Sequence, residues 1–131
     1  MSKPIQNVEI MTRDAKAGKA TALFDSGSFY SIVRADKVPE GAMIIPFAVP
    51  QEFKTASQEG TLKVTGEIPL VITVEGKMVE DSVFVSPDLG REMIIGAKTM
   101  QAWDISIVNT NGHTEIRVGR DMRDPEITEV A

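Results

Sequence analysis

An apolar segment that leads directly into an acidic turn constrains this chain more than any other feature. The segment Ala22–Phe24 is apolar, Asp25–Gly27 follows it, and aliphatic residues resume at Ile32 and Val33. We predict that this is a buried strand ending in a tight turn, which presents Asp25 at the edge of a hydrophobic core. Catalytic groups commonly lie on loops that a rigid scaffold holds in place.

The same tripeptide is also typical of an ordinary turn. Asp and Ser side chains bond to their own backbone, and Gly adopts positive φ angles that other residues avoid. The flanks favour a catalytic turn, because an apolar strand directly before Asp25 and aliphatic residues soon after Gly27 are more than a surface turn needs. The tripeptide alone leaves both interpretations open.

The composition excludes several kinds of catalytic site. The 131 residues fit one domain and include no Cys, so disulfides, thiol nucleophiles and thiolate metal sites are excluded. The one histidine, His113, lies in a predicted turn, far from any cluster of metal-ligating residues in the sequence. We therefore expect no metal site.

Charge and hydropathy limit the partners. The formal net charge is -5 and the basic residues are dispersed, which argues against nucleic acid as a partner. We see no secretory signal at the N-terminus and no apolar run long enough to span a membrane. We therefore expect a cytoplasmic protein with no membrane partner.

Short strands separated by turns dominate the predicted secondary structure. We predict strands at residues 6–12, 20–24, 43–49, 60–65, 68–74, 78–86, 94–95, 104–108 and 114–118. Residues 31–37 form a helical turn or a strand, residues 97–102 form one short helix, and residues 75–77 and 109–112 form hairpin turns. The predicted fold class is all-β, with one domain at 1–118 and a charged, loose C-terminal tail at 119–131.

Three separated segments resemble one known family. Residues 22–33 resemble the signature of the retropepsins: an aliphatic strand, Asp-Ser/Thr-Gly, a hydroxyl or small residue, and aliphatics. Residues 93–96, Met-Ile-Ile-Gly, resemble the second apolar-apolar-Gly segment of that family, and residues 60–72 resemble the second arm of its flap hairpin and the following strand. The resemblance implies a closed acid-protease β-barrel with one short C-terminal helix, closer to cellular and prokaryotic members than to viral ones.

The resemblance also implies a function. It implies an aspartic endopeptidase that acts as a homodimer, because the chain has one Asp-Ser-Gly and the chemistry needs two carboxylates. Asp25 is the implied acid and base, Ser26 is implied to bond across the dimer, and Gly27 lets the substrate backbone lie close. The two carboxylates share one proton and activate a water molecule, with no cofactor.

Further residues are implied to contact an extended peptide or protein substrate. A flap at residues 55–61 is expected to close over the substrate. The predicted contacts are Ser28, Phe29, Ser57, Gln58, Glu59, Gly60, Ile94 and Ile95. For Ile94 and Ile95, a place in the core beneath the site is an equally open interpretation.

The chain departs from the family pattern at several positions. Phe29 and Tyr30 lie where many members have an acidic residue, and Ala97 lies where they have its basic partner. Losing both partners of a buried ion pair can be neutral for stability. Two alternatives therefore stay open: a non-catalytic dimerisation or peptide-binding module with the same fold, and an unrelated all-β interaction domain in which Asp25 lies on a surface turn.

Overall fold

The computed structural model of the chain describes residues 4–54 and 60–125. These residues form nine strands, one short α-helix and one 3₁₀ turn. The strands are β1 Ile5–Met11, β2 Ala17–Asp25, β3 Ile32–Arg34, β4 Ile45–Lys54, β5 Thr61–Val74, β6 Lys77–Ser86, β7 Met93–Gly96, β8 Ile105–Thr110 and β9 His113–Val118. The helix α1 is Ala97–Ala102, and the 3₁₀ turn is Ala35–Lys37. None of the described helices is long and apolar enough to cross a membrane.

Six strands close into a barrel. Around the barrel the order is β1, β2, β7, β3, β6 and β5, and β5 pairs back with β1. The pairs β2–β7 and β3–β6 are parallel, and the other neighbours are antiparallel. The predicted all-β fold, a closed barrel with one short C-terminal helix, is confirmed.

Alternating side chains fill the barrel. Successive residues of a strand point to opposite faces, so every second residue of β6 faces the interior. Val79, Val83 and Val85 of β6 are buried, whereas Phe84 between the last two is only partly buried. The interior is mainly aliphatic, and Phe24 at the end of β2 is its one fully buried aromatic side chain among the described residues.

A two-stranded extension, which we call the β4–β5 arm, consists of β4 and residues 61–65 of β5. The strand predicted at 43–49 is present, and Pro46, which suggested an edge or a bulge, lies in an edge strand with a register shift after it, but the expectation that this strand is buried is wrong. The strand runs Ile45–Lys54, and Met43 and Val49 are 85% and 74% exposed. Residues 60–65 and 68–74, predicted as two strands, form the single strand β5. Among the described strands, β4 pairs only with β5, so it is an edge strand and one side of it is left without a partner strand.

The hairpin turns predicted at residues 75–77 and 109–112 are confirmed. Glu75 and Gly76, between β5 and β6, have φ angles of 50° and 75°. Asn111 and Gly112, between β8 and β9, have φ angles of 53° and 75°. Two successive positive φ angles are the requirement of the type I′ turn that joins tightly twisted strands.

Residues 119–125 contact the rest of the chain. The backbone N–H of Gly119 donates to the carbonyl of Asp104 at 2.9 Å, and that of Met122 donates to the carbonyl of Met78 at 2.7 Å. This differs from the loose tail that the sequence predicts from residue 119 onward. Residues 126–131 of that predicted tail lie outside the described residues.

Candidate active site

The parallel pair of β2 and β7 positions the acidic turn. In its register, Phe24 lies opposite Ile95 and Asp25 lies opposite Gly96. Both strands end at this point: β2 enters the turn at residues 26–30, and β7 enters α1. Asp25 is partly buried, as expected for a carboxylate at the edge of the core. Asp25 is therefore not fully solvated at a hairpin tip, which was the observation that would have supported an unrelated interaction domain with Asp25 on a surface turn.

Two hydrogen bonds within the turn stabilise it. The N–H of Gly27 donates to Oδ1 of Asp25 at 2.9 Å, and the N–H of Ser28 donates to the carbonyl of Asp25 at 3.1 Å. The expectation that Gly27 supplies a positive φ angle is wrong, because the positive-φ glycines are elsewhere. A Cβ at position 27 would instead lie 3.1 Å from Asp25 Oδ1. Gly27 thus leaves room around the carboxylate.

The start of α1 fixes the segment that follows the turn. The backbone N–H of Ala97 donates to the carbonyl of Ser28 at 2.7 Å, and that of Lys98 donates to the carbonyl of Phe29 at 2.9 Å. These amides have no partner inside their own helix, so bonding to the turn satisfies both groups. The turn and the helix therefore form one hydrogen-bonded unit.

A chain of buried hydroxyl groups lies beneath this unit. The N–H of Gly96 donates to Ser31 Oγ at 3.0 Å, Ser31 Oγ lies 2.5 Å from Thr99 Oγ1, and Thr99 Oγ1 donates to Asp81 Oδ2 at 2.6 Å. Because the single proton of Thr99 goes to Asp81, the proton between the two hydroxyls belongs to Ser31. Lys98 Nζ lies 3.8 Å from the other oxygen of Asp81. The chain links the turn, α1 and β6.

A cleft of about 480 Å³ opens at Asp25. Five of the residues predicted for the site border it, namely Asp25, Gly27, Ser28, Phe29 and Ile94. The β4–β5 arm contributes Phe53, Lys54, Thr61 and Leu62 to the same cleft, and the segment after β6 contributes Asp88, Leu89 and Gly90. The volume lies in the range of ordinary ligand sites.

Other predicted site residues lie elsewhere. Ile95, expected to contact substrate, is 0% exposed and packs in the core. Because neighbouring strand residues face opposite ways, Ile94 and Ile95 cannot both face the cleft. Gly60 is exposed and precedes Thr61, which borders the cleft. The predicted contacts Ser57, Gln58 and Glu59, and most of the predicted flap, lie outside the described residues.

Ser26 borders a second hollow. It is exposed and lines a space of about 580 Å³ together with residues of α1 and β8. Met100 and Gln101 come from α1, and Ser106 and Ile107 come from β8. The turn thus contributes Asp25 to one hollow and Ser26 to the other.

Three aromatic residues, Phe29, Tyr30 and Phe53, border the cleft, and two more extend this group. Tyr30 lies 4.7 Å from Phe84 and 5.9 Å from Phe53 between ring centroids, and the Phe53 ring is stacked on it at 15°. Phe29 contacts Tyr30 edge-on at 5.0 Å, and Phe47 contacts Phe84 edge-on at 5.7 Å. These rings connect the turn, the β4–β5 arm and the outer face of the barrel.

Sequence reasoning missed Phe53, which borders the cleft, and Phe84, which packs against Tyr30 and Phe53. One signal for Phe84 was present, since it lies between Val83 and Val85 in an alternating strand and must face away from them. A large aromatic on the outer face of a barrel strand needs a contact outside the core. No comparable signal marks Phe53, because its contact with Tyr30 joins residues that are far apart in the sequence.

The described residues offer no metal centre, since no group of three or more His, Asp or Glu side chains among them could hold an ion. The site's polar groups are carboxylates, hydroxyls and backbone amides. Such groups can bind and polarise a peptide and exchange protons with it.

Two solved structures share this architecture. The retroviral protease-like domain of Ddi1 from Leishmania major aligns with a TM-score of 0.57 and 14% identity, covering 93% of this chain and 99% of that domain. EIAV protease, complexed with the inhibitor HBY-793, aligns with a TM-score of 0.57 and 15% identity, covering 77% of this chain and 88% of that protease. The fold is retropepsin-like. At these identities the likeness extends to the retropepsin-like fold and not to the activity.

Comparisons of the sequence with protein-family models and with curated proteins find no match. The retropepsin-like assignment therefore depends on the arrangement of the strands, with Asp25 at the end of β2 beside Gly96 at the end of β7.

Proposed function

We propose that this protein is an aspartic endopeptidase that acts as a homodimer, in which each subunit contributes Asp25. The observation that carries the proposal is the position of that carboxylate: partly buried, bonded to the Gly27 amide, and bordering a cleft of about 480 Å³. A cellular or prokaryotic type is supported by the fuller alignment with the Leishmania domain than with the viral protease.

The second carboxylate comes from a second copy. Among the described residues, Asp88 is the other carboxylate at the cleft, but it is exposed, whereas Asp25 is partly buried, and its Oδ1 accepts a hydrogen bond from the Ser86 hydroxyl at 2.9 Å. Ser26, beside Asp25, faces the hollow formed by α1 and β8. We propose that two copies meet at this hollow, which brings two Asp25 turns together on a two-fold axis.

The chemistry follows from a pair of adjacent carboxylates. Two such groups do not both ionise readily, so they share one proton. The ionised carboxylate takes a proton from a bound water, which attacks the peptide carbonyl. The protonated carboxylate donates to the carbonyl oxygen as the tetrahedral intermediate forms. The two carboxylates titrate together, as one coupled pair.

The test is cleavage of a peptide library by the native chain and by Asp25→Asn. Asparagine keeps an oxygen that accepts from the Gly27 amide, so we expect a folded protein whose activity falls by at least about 10³-fold. If subunits exchange, an equal mixture of native and variant chains should have about one quarter of the activity of native protein at the same total concentration. The reason is that only native–native pairs are complete.

Other outcomes would contradict the proposal. A monomeric enzyme would keep about half of its activity in the equal mixture, because each native chain would act alone. Two results together would place both carboxylates in one chain. Asp88→Asn would lose as much activity as Asp25→Asn, and the activity of native–variant mixtures would fall in proportion to the fraction of native chain. Native protein that binds peptides and cleaves none of them would support the peptide-binding module instead.

A further inference from the structure

We propose that Asp81, on β6, is a positioning residue for Asp25 and acts through the buried hydroxyl groups of Thr99 and Ser31. Its carboxylate sets the direction of every proton in that chain of hydrogen bonds, and the chain holds the backbone beside the acidic turn. The expected effect on cleavage depends on the proposed function. The effect on the turn itself can be measured without any substrate.

The hydrogen bonds of this chain all point one way. A backbone N–H can only donate, so Gly96 donates to Ser31 Oγ, 3.0 Å away. Ser31 donates to Thr99 Oγ1, and Thr99 donates to Asp81 Oδ2 at 2.6 Å. Because each hydroxyl has one proton, the last member of the series must accept without having to donate. A carboxylate meets that requirement.

A neutral amide of the same shape cannot replace this carboxylate. Asp81 accepts on both oxygens, since its Oδ1 accepts from the N–H of Ser82 at 2.8 Å. An Asn side chain has one accepting oxygen and one donating NH₂ group. With the NH₂ group towards Thr99, the hydroxyl protons would have to reverse, and Ser31 would keep a proton that Gly96 N–H cannot accept. With the NH₂ group towards Ser82, two donors would face each other.

The other end of the chain lies beside the acidic turn. Gly96 is opposite Asp25 in the parallel register of β2 and β7. Ser31 lies directly before β3, and its backbone carbonyl accepts from the N–H of Phe84 on β6 at 3.0 Å. The segment from Asp25 to Ser31 is therefore held at both ends, and the bond between Ser31 and Gly96 joins those ends.

The chain is largely shielded from water. Ser31 is 3% exposed, Thr99 is 0% exposed, and the side chain of Asp81 is 15% exposed. A buried hydroxyl that loses its partner carries a desolvation cost, so the surrounding backbone shifts to restore a bond. A displacement of about 1 Å at a reacting group can cost about 10²-fold in rate. Two Asp25 carboxylates that share one proton depend on such precision.

The first test compares steady-state cleavage of one peptide by the native chain and by Asp81→Asn. We expect kcat to fall about tenfold while KM changes less than about twofold, because Asp81 does not border the cleft. Glu80→Gln is the matched control. It removes the preceding carboxylate on the same strand, which pairs with Arg13 and not with the hydroxyl chain, and should keep kcat within about twofold.

A double-mutant cycle with Thr99→Val tests whether Asp81 acts through Thr99. Thr99→Val breaks the same chain and should lower kcat to a similar extent, and Thr99→Ser, which keeps the hydroxyl, should recover most of that loss. The double variant should be no more than about twofold slower than either single variant, because the chain is already broken. Losses that multiply to about a hundredfold would overturn the inference, and so would a native kcat in Thr99→Val.

Amide hydrogen exchange reports on the turn without substrate. In Asp81→Asn, the exchange of the Gly96 amide, measured relative to that of the Ile72 amide, should be at least about tenfold faster than in the native chain. Ile72 is buried on β5 and pairs with both β1 and β6, so its exchange reports on the barrel as a whole. Equal acceleration at the two amides would mean that Asp81 only stabilises the fold, and would overturn the inference.

The positioning role and the endopeptidase can fail separately. Cleavage by the native chain with an unchanged kcat in Asp81→Asn refutes the positioning role and leaves the endopeptidase standing. Selectively faster exchange at Gly96, in a protein whose native chain cleaves no peptide, refutes the endopeptidase and leaves the link between Asp81 and the acidic turn standing.

Discussion

Gly96 lies directly against the backbone of Tyr30. A Cβ atom at position 96 would stand 2.4 Å from the carbonyl oxygen of Tyr30 and 2.7 Å from those of Ser28 and Phe29. These carbonyls belong to the segment after the acidic turn, and two of them accept hydrogen bonds from the start of α1. The close approach of β7 to this segment therefore requires a residue without a side chain.

Gly96→Ala should consequently destabilise the protein by about 3 kcal/mol, because the obstructing atoms are backbone and cannot rotate away. Urea unfolding followed by circular dichroism measures the change. Gly90→Ala is the matched control, since a Cβ there meets no atom within 4 Å, and it should change stability by less than about 0.5 kcal/mol. Equal effects of the two substitutions would contradict the close approach.

Thr99→Val should cost about 2 kcal/mol of unfolding free energy. Valine has nearly the same shape, but it leaves Ser31 Oγ without its acceptor and Asp81 Oδ2 without its donor. Thr99→Ser keeps the hydroxyl and should recover most of the loss. The exposed Thr110→Val should be nearly neutral. A Thr99→Val protein as stable as the native one would show that the hydroxyl chain contributes nothing.

Ser106→Arg should weaken dimer formation at least about tenfold. Ser106 is exposed on β8 and borders the hollow that contains Ser26, so a dimer across this hollow would bring two added positive charges into its interface. Thr110→Arg adds the same charge to the same strand outside that hollow and should leave the dimer intact. Sedimentation over a concentration series distinguishes the two. Equal dimer affinity in both variants would argue for another interface.

Asp121 should make stability depend on pH in acid. Hydrogen bonds from the Arg123 guanidinium, and then from the Arg123 backbone N–H, hold the pKa of Asp121 well below its usual value of 3.8. A lowered folded-state pKa stabilises the protein above the unfolded-state pKa, and this contribution is lost as the pH falls towards the folded value.

The comparison is between the native protein and Asp121→Asn. The native protein should unfold at a higher temperature at neutral pH, and the difference should shrink once the pH drops below about 4. Glu40→Gln removes an exposed carboxylate elsewhere and controls for the change in net charge. A difference that is constant from neutral to acidic pH would contradict the assigned cause.

The best sequence predictions concern features that depend on a few adjacent residues. Glu75-Gly76 and Asn111-Gly112 adopt the predicted turns because positive φ angles are encoded locally. The same holds for α1 directly after Gly96. The prediction that Ile95 contacts substrate was poorer. Neighbouring strand residues face opposite ways, so the sequence alone already indicated that Ile94 and Ile95 cannot both face the cleft.

By itself, the sequence determined that a strand ends at Asp25 in a Ser-Gly turn, that short strands and tight hairpins follow, and that one helix begins after Gly96. These are consequences of local backbone preference and of alternation along a strand. Only the tertiary structure decided that Phe53 reaches Tyr30, that Asp81 joins Thr99 and Ser31, and that Asp25 and Ser26 border different hollows. Such contacts join residues far apart in the chain. Their positions depend on how the strands pair and close, which no local pattern encodes.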